Sequence, residues 1–380
     1  MDHGYFRNGA MTRSGCLDMK LLRHVKLVKT TSRRTEKDLL MRAILLIALV
    51  SATASAAPRE TKFKEITLDV VSGDKLAISC PRAAVKLIAS TSPTTTLRVK
   101  KTLADSAAEG GSRFEGMTFS VKKENGIVRI ECSGADSKEE LAKAVKAGAG
   151  DFHFDVEGAS LPVEVGVRGG NVNVQGWKHA VTATIVEGRV QSSATENALR
   201  VQLQRGEVKI EGHKGLVVID SQSAKIAASN VEGDMNVVNF AGESALSSVR
   251  GNVDAKLDSG TFTIAKSSGS LDFIVGRGTL NANGFSGPFR GENVSGSVLA
   301  ELLGDVDVSI EADRGSVNIK APPGSGATVR LQTSDGSLQH PPSVKPAGGT
   351  AKAAVGTLNG SGSKGTINVR SKSGSIRLRE

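Results

Sequence analysis

Apolar and polar residues alternate in short runs along most of the chain, and from residue 170 a glycine marks the runs every nine residues. The marks fall at Gly170, Gly188, Gly206, Gly215, Gly233, Gly242, Gly251, Gly260, Gly269, Gly278, Gly287 and Gly296, interrupted by His179, Asn197 and Ala224. Two places after each mark stands an apolar residue, as in Val172, Val190, Ile226, Phe262 and Leu280, with Ser244 the polar exception. Alternation with period two predicts half-buried strands. A glycine before each strand suits a corner where the backbone takes positive φ or passes close to a neighbour. A fixed short period is the signature of a solenoid. Nine residues at about 3.3 Å each cover roughly 30 Å, so two units would make one coil of about 18 residues. Phe262, Leu280 and Val298 would then stack on one wall, and Val253, Leu271 and Phe289 on the other. The fold class expected is all-β: a right-handed parallel β-helix, because parallel crossovers are nearly always right-handed.

The pattern divides the chain into six segments. Residues 1–40 are a basic leader extension or a mis-assigned start, with Met41 the alternative initiator. Residues 41–56 read as a signal peptide: Met41-Arg42, an apolar core from Ala43 to Val50, then an Ala-x-Ala site ending at Ala56. That core is too short for a transmembrane anchor, which needs about 20 residues. Residues 57–135 read as short strands without the nine-residue beat, forming an irregular cap on the open end of the solenoid. Within it, Glu124-Asn125-Gly126 signals a hairpin. Residues 136–160 hold a short helix and a connector, with Ser137 and Glu140 as a capping box and Gly148 as terminator. The repeats fill 161–320. Residues 321–380 are loop-rich, and the beat returns at Gly365 and Gly374 as a closing coil.

The tail from Gly360 to Val369, followed by Ser373-Gly374-Ser375-Ile376, resembles the end of the bacterial "putative adhesin" domain of unknown function. The Gly-x-Val-x-Val units and the signal peptide fit the same family over roughly 160–380. The resemblance implies a right-handed β-solenoid on an exported or surface protein, and it carries over no catalytic residues.

Charge alters the picture less than it first suggests. The formal net charge is +10, but residues 1–42 hold ten Lys/Arg against four Asp/Glu. The exported chain is therefore only about +4, and a nucleic-acid partner loses its electrostatic basis. Cys80 and Cys132 each end a strand-like run, and an exported compartment permits a disulfide between them, two buried thiols being the alternative. Asp151, His153 and Asp155 are the candidate metal ligands, set on one face of a strand whose other face carries Phe152 and Phe154. The plainer reading is an edge strand with a solvated polar face. Calcium nonapeptide repeats need clustered glycines and aspartates, whereas each unit here has one glycine. Asp254, Asp272 and Asp307 make an outward ladder, not a cage.

A polysaccharide-active enzyme would need paired carboxylates and aromatic platforms. The only tryptophan is Trp177, read as covering a corner near the first coil, and the only tyrosine lies in the leader. No cofactor is expected. The function expected is a non-enzymatic exported envelope or surface module, periplasmic or at the cell surface, binding a protein or polysaccharide. Its contacts would run along a polar wall of outward residues such as Asn173, Lys209, Asn236, Asp254, Asp272 and Asn281. The alternative is a scaffold joined end to end in the manner of bactofilin-type β-helices.

Overall fold

A computed structural model describes residues 59–103, 117–133, 150–304, 306–349, 351–358 and 365–380. The leader, the signal-peptide segment and the helix expected near 137–148 lie outside the described residues. The repeats form the coils the beat predicts. Strands β7 (Val163–Gln175), β8 (Val181–Glu196), β9 (Leu199–Lys214), β10 (Val217–Glu232), β11 (Met235–Arg250) and β12 (Val253–Ala265) pair in parallel, each with the next. Val163, Val181, Leu199, Val217, Met235, Val253 and Leu271 lie opposite one another, each 18 residues after the last. Later coils split in two: β13 (Leu271–Val275) with β14 (Thr279–Phe285), β15 (Phe289–Asn293) with β16 (Ser297–Leu302), and β17 (Val308–Ala312) with β18 (Ser316–Lys320). Phe262, Leu280 and Val298 stack as expected, as do Val253, Leu271 and Phe289. After Gly304 the register slips by one residue, so that Val308 faces Phe289 and Val317 faces Val298.

The nine-residue beat is two columns of period 18, one at each of two corners. One runs Gly170, Gly188, Gly206, Ala224, Gly242, Gly260, Gly278, Gly296, with Gly170 stacked on Ala83 of β2 (Lys75–Ala89); the other runs Asn197, Gly215, Gly233, Gly251, Gly269, Gly287. Each glycine of these columns lies against the backbone of the coil before it. A Cβ on Gly188 would stand 1.8 Å from the carbonyl oxygen of Gly170, and one on Gly287 1.7 Å from that of Gly269. No side chain fits there, which is why glycine recurs.

The interruptions have their own chemistry. Asn197 holds φ at 73°, a conformation asparagine tolerates better than most residues. At Ala224 the backbone is tied to a buried side chain: Asn239 Nδ2 donates to the Ala224 carbonyl at 3.0 Å, and Ala224 N donates to Asn239 Oδ1 at 3.3 Å. Asn239 Nδ2 also donates to Ser244 Oγ at 3.0 Å, so the polar residue in the apolar series completes one buried network.

A third column of period 18 carries left-handed backbone in seven successive coils: Gly176, Ala194, Gly212, Asn230, Ser248, Lys266 and Gly284, with φ from 50° to 67°. The residue after each turns inward, giving a third buried column of Trp177, Thr195, His213, Val231, Val249, Ser267 and Phe285. Each coil therefore has two long walls and a short third side. Trp177 is fully buried, its indole donating to the Leu161 carbonyl at 2.8 Å.

The ends depart from sequence order. Strand β2 (Lys75–Ala89) pairs in parallel with β7 along almost its whole length, so part of the expected cap is itself a coil of the stack. Beyond β2 lie β5 (Ile127–Ser133) and β6 (Gly150–Gly158), also parallel to it. Antiparallel strands finish this end. β3 (Thr95–Leu103) pairs with β6, β1 (Arg59–Leu68) with β3, and β4 (Thr118–Glu124) with β5. The β4–β5 turn is the expected hairpin, with positive φ at Asn125 and Gly126.

The other end repeats the device. β23 (Thr366–Ser371) and β24 (Ile376–Arg379) stack directly on β17 and β18, while β19 (Thr328–Thr333) and β20 (Leu338–Gln339) lie outside them. The segment expected to close the solenoid is thus the penultimate layer. β22 (Ala353–Thr357) pairs antiparallel with β19, and β21 (Val344–Pro346) with β22. Among the described residues no helix is long and apolar enough to cross a membrane.

Candidate binding surface

The strand alternation that buries one set of side chains projects the other as ladders, and these make two distinct outer walls. The first wall, at the start of each coil, carries pairs such as Arg200/Gln202, Asn236/Val238, Asp254/Lys256 and Asp272/Ile274. The second wall carries three outward columns, as in Asn171/Asn173/Gln175, Glu207/Lys209/Glu211 and Thr279/Asn281/Asn283. The six polar positions expected on one wall are therefore split. Asn236, Asp254 and Asp272 belong to the first wall, and Asn173, Lys209 and Asn281 to the second. Asp254 and Asp272 are direct neighbours, but Asp307 leaves that ladder: its Oδ1 accepts from Thr366 N at 3.0 Å and Thr366 Oγ1 at 2.7 Å, holding the inserted β23 at a corner.

The second wall is the wider, and its C-terminal end is hollowed. A shallow, open groove of about 530 Å³ lies between Asn281, Asn283, Leu299, Glu301, Asn318, Lys320, Arg377 and Arg379. These residues form two registered columns, Asn281–Leu299–Asn318–Arg377 and Asn283–Glu301–Lys320–Arg379. Lys320 Nζ is 2.6 Å from Glu301 Oε1, and Arg377 Nε donates to Gln339 Oε1 at 2.6 Å. A second open cleft, about 780 Å³, runs along the glycine corner at the other end, between Arg82, Arg168, Arg205, Asp151 and Glu187.

Asp151, His153 and Asp155 do share one face of β6, opposite the buried Phe152 and Phe154. But β6 is not an edge strand, since β2 and β3 flank it. The flanking strands interleave cations with the candidate ligands. His153 lies between Ala84 and Lys100, Asp155 between Lys86 and Arg98, and Arg82 Nε pairs with the Asp151 carboxylate. Cations so placed repel a divalent metal, and no three His, Cys, Asp or Glu side chains among the described residues are grouped to hold one. Cys80 and Cys132, adjacent in the β2–β5 pairing, form a disulfide with Cα atoms 5.0 Å apart.

One imidazole escaped the sequence reading. His213 is buried in the third inward column, its Nδ1 2.9 Å from Thr195 Oγ1, which is in turn 2.7 Å from Ser192 Oγ. Among the described residues its Nε2 meets no partner in good hydrogen-bond geometry, the Asn197 and Leu216 carbonyls being its polar neighbours. Burial lowers its pKa, partly offset by the carbonyls of Asn197 and Leu216. A Thr-His pair sealed inside the stack reaches no substrate, so it belongs to stability and not to chemistry.

The model of the Toastrack DUF4097 family matches residues 102–379. Three solved structures are similar at low identity. A "putative cell adhesion protein" from Clostridium sporogenes ATCC 15579 is 11% identical, over 85% of this chain and 99% of that one, with a TM-score of 0.19. A "putative adhesin" from Bacteroides fragilis NCTC 9343 is 10% identical over 84% and 97%, TM-score 0.24. Another from Parabacteroides merdae ATCC 43184 is 13% identical over 69% and 96%, TM-score 0.26. The curated proteins contain no match to this sequence.

Proposed function

Starting from the family to which this chain belongs, Toastrack DUF4097, we propose that it is a non-enzymatic, exported binding module of the cell envelope or surface. It acts through repeated contacts along the second wall. The observation that carries this reading is the three-column ladder of that wall. Outward side chains recur at the inter-strand spacing of about 4.8 Å on a rigid parallel sheet, so an elongated ligand meets the same spacing many times. Its charged groups are largely matched within the ladder, as in Arg189–Glu207 and Lys320–Glu301, which leaves a mixed polar surface suited to many weak contacts. The apolar run Ala43–Val50 with its Ala-x-Ala site supports export.

The test is in-cell photo-crosslinking from single introduced positions, combined with fractionation. Crosslinkers at Asn173, Lys209 and Asn281 should give envelope adducts, whereas Asn236, Asp254 and Asp272 should give few. Equal labelling from both walls, or a protein confined to the cytosol, would sink the reading.

A further inference from the structure

We propose that the groove at the C-terminal end of the second wall is a subsite for a carboxylate-bearing glycan. The inference deepens the binding role proposed above and rests on it. Three cations, Lys320, Arg377 and Arg379, face a single carboxylate, Glu301. This excess is built by the fold: inserting β24 beside β18 brings Arg377 against Asn318 and Arg379 against Lys320 across 59 residues of sequence.

The cations are not equivalent. Lys320 is held by Glu301. Arg377 is anchored through Nε by Gln339, which leaves the terminal nitrogens of its guanidinium for a ligand. Planar guanidinium groups match carboxylates in a two-bond fork, which a point charge does not. Apart from these charges the lining is neutral. Asn281, Asn283 and Asn318 offer amide donors and acceptors suited to hydroxyl groups. Leu299, 42% exposed between Asn281 and Asn318, supplies an apolar platform for the C–H face of a ring. An apolar step between amides, with an arginine fork at one end, describes a polyhydroxylated ring carrying a carboxylate. A single-stranded nucleic acid would call for aromatic stacking platforms, and no aromatic side chain lines the groove. The volume falls in the range of small-ligand sites.

The experiment is calorimetric titration of the purified protein with galacturonate oligosaccharides. Dextran fragments, poly-glutamate and polyphosphate serve as the neutral, non-sugar and phosphate probes. The galacturonate oligomers should bind saturably and the other three at least tenfold more weakly. The double variant Arg377→Gln/Arg379→Gln should lose about tenfold or more, equivalent to one charge-assisted contact. Arg200→Gln, on the first wall and outside the proposed contact surface, should bind as the wild type does. Because the double variant touches an inserted strand, Glu301→Gln is the second probe: removing the lone carboxylate should tighten binding several-fold. Absence of galacturonate binding would overturn the proposal, as would equal binding of dextran, poly-glutamate or polyphosphate. So would unchanged affinity in Glu301→Gln or in a folded double variant. If second-wall crosslinks persist while galacturonate fails, only the ligand class falls. If galacturonate binds but the crosslinks are absent, the multivalent role falls and the subsite stands.

Discussion

The corner columns make a sharp prediction, because crowding and backbone strain can be separated by two substitutions. Gly287 has a φ outside the left-handed region, yet a Cβ placed on it lies 1.7 Å from the Gly269 carbonyl oxygen. Carbon and oxygen settle at about 3.3 Å or more, so Gly287→Ala must part the two coils by about 1.6 Å at that corner. Nearby, Ser286 N donates to Ser267 O at 3.1 Å, and Leu271 N to Pro288 O at 2.8 Å. Opening the corner by that amount takes both past hydrogen-bond range. Two lost backbone bonds with poorly solvated partners cost about 1–3 kcal/mol each, so roughly 3–6 kcal/mol is expected once lost packing is added. Gly73 is the control: φ is +95° and nothing lies within 4 Å of its Cβ, so Gly73→Ala should cost only the strain of about 1–2 kcal/mol. Urea unfolding followed by Trp177 fluorescence and far-ultraviolet circular dichroism measures both. The two probes must coincide for a single free energy to be meaningful in a stacked repeat. If Gly287→Ala costs no more than Gly73→Ala, the corners are not closed by backbone contact and the origin given for the beat is wrong.

Leu280, fully buried between Phe262 and Val298, and Asn281, its outward neighbour, test the strand alternation: Leu280→Asp should abolish cooperative folding, and Asn281→Asp should leave the melting temperature almost unchanged. Equal effects would overturn the register. For His213, burial favours the neutral imidazole, so the unfolded chain binds the proton more readily. Stability is then complete above the unfolded pKa of about 6.5 and declines as pH falls below it towards the lowered folded value. His213→Val, matching Val231 in the next coil, should flatten the slope of the urea midpoint between those limits, and identical slopes in the two proteins would remove His213 as its source.

The coil length and inward stacks were legible because apolar alternation and glycine repeat together. The same beat concealed the two walls. Positions nine residues apart fall at the same phase, so Asn236 and Asp254 on one wall are indistinguishable by pattern from Asn173 and Lys209 on the other. The third inward column was hidden differently. Thr195, His213 and Ser267 are polar, and the left-handed residue before each is Ala194, Gly212 and Lys266, with no common side chain to betray a common φ. Only the stack imposes it. The groove was out of reach for a third reason. Arg377 and Arg379 join Asn318 and Lys320 by a non-local pairing, and strand order is a property of the assembled sheet, not of any local run.

That non-local order also bears on how the molecule meets its surroundings. A parallel β-helix that ended on its last repeat would present a full parallel edge, ready to accept another chain. Here each end folds back. At one end the parallel strands β5 and β6 are covered by the antiparallel β4 and β3, and at the other β19 is covered by the antiparallel β22. The layer just inside each end arrives out of sequence order: β2 lies between β6 and β7, and β23 between β17 and β19. To peel off an end layer, the chain must also disturb the one beneath it, which ties the fraying of the ends to the stability of the interior. The antiparallel covers β3, β4 and β22 do not present the parallel register that a head-to-tail filament would continue. Among the described residues only the two-residue β20 remains as an outer parallel strand at the C-terminal end. What repeats without interruption is instead the side of the stack, and the second wall, with three outward columns per coil, offers the largest regular surface for a ligand to follow.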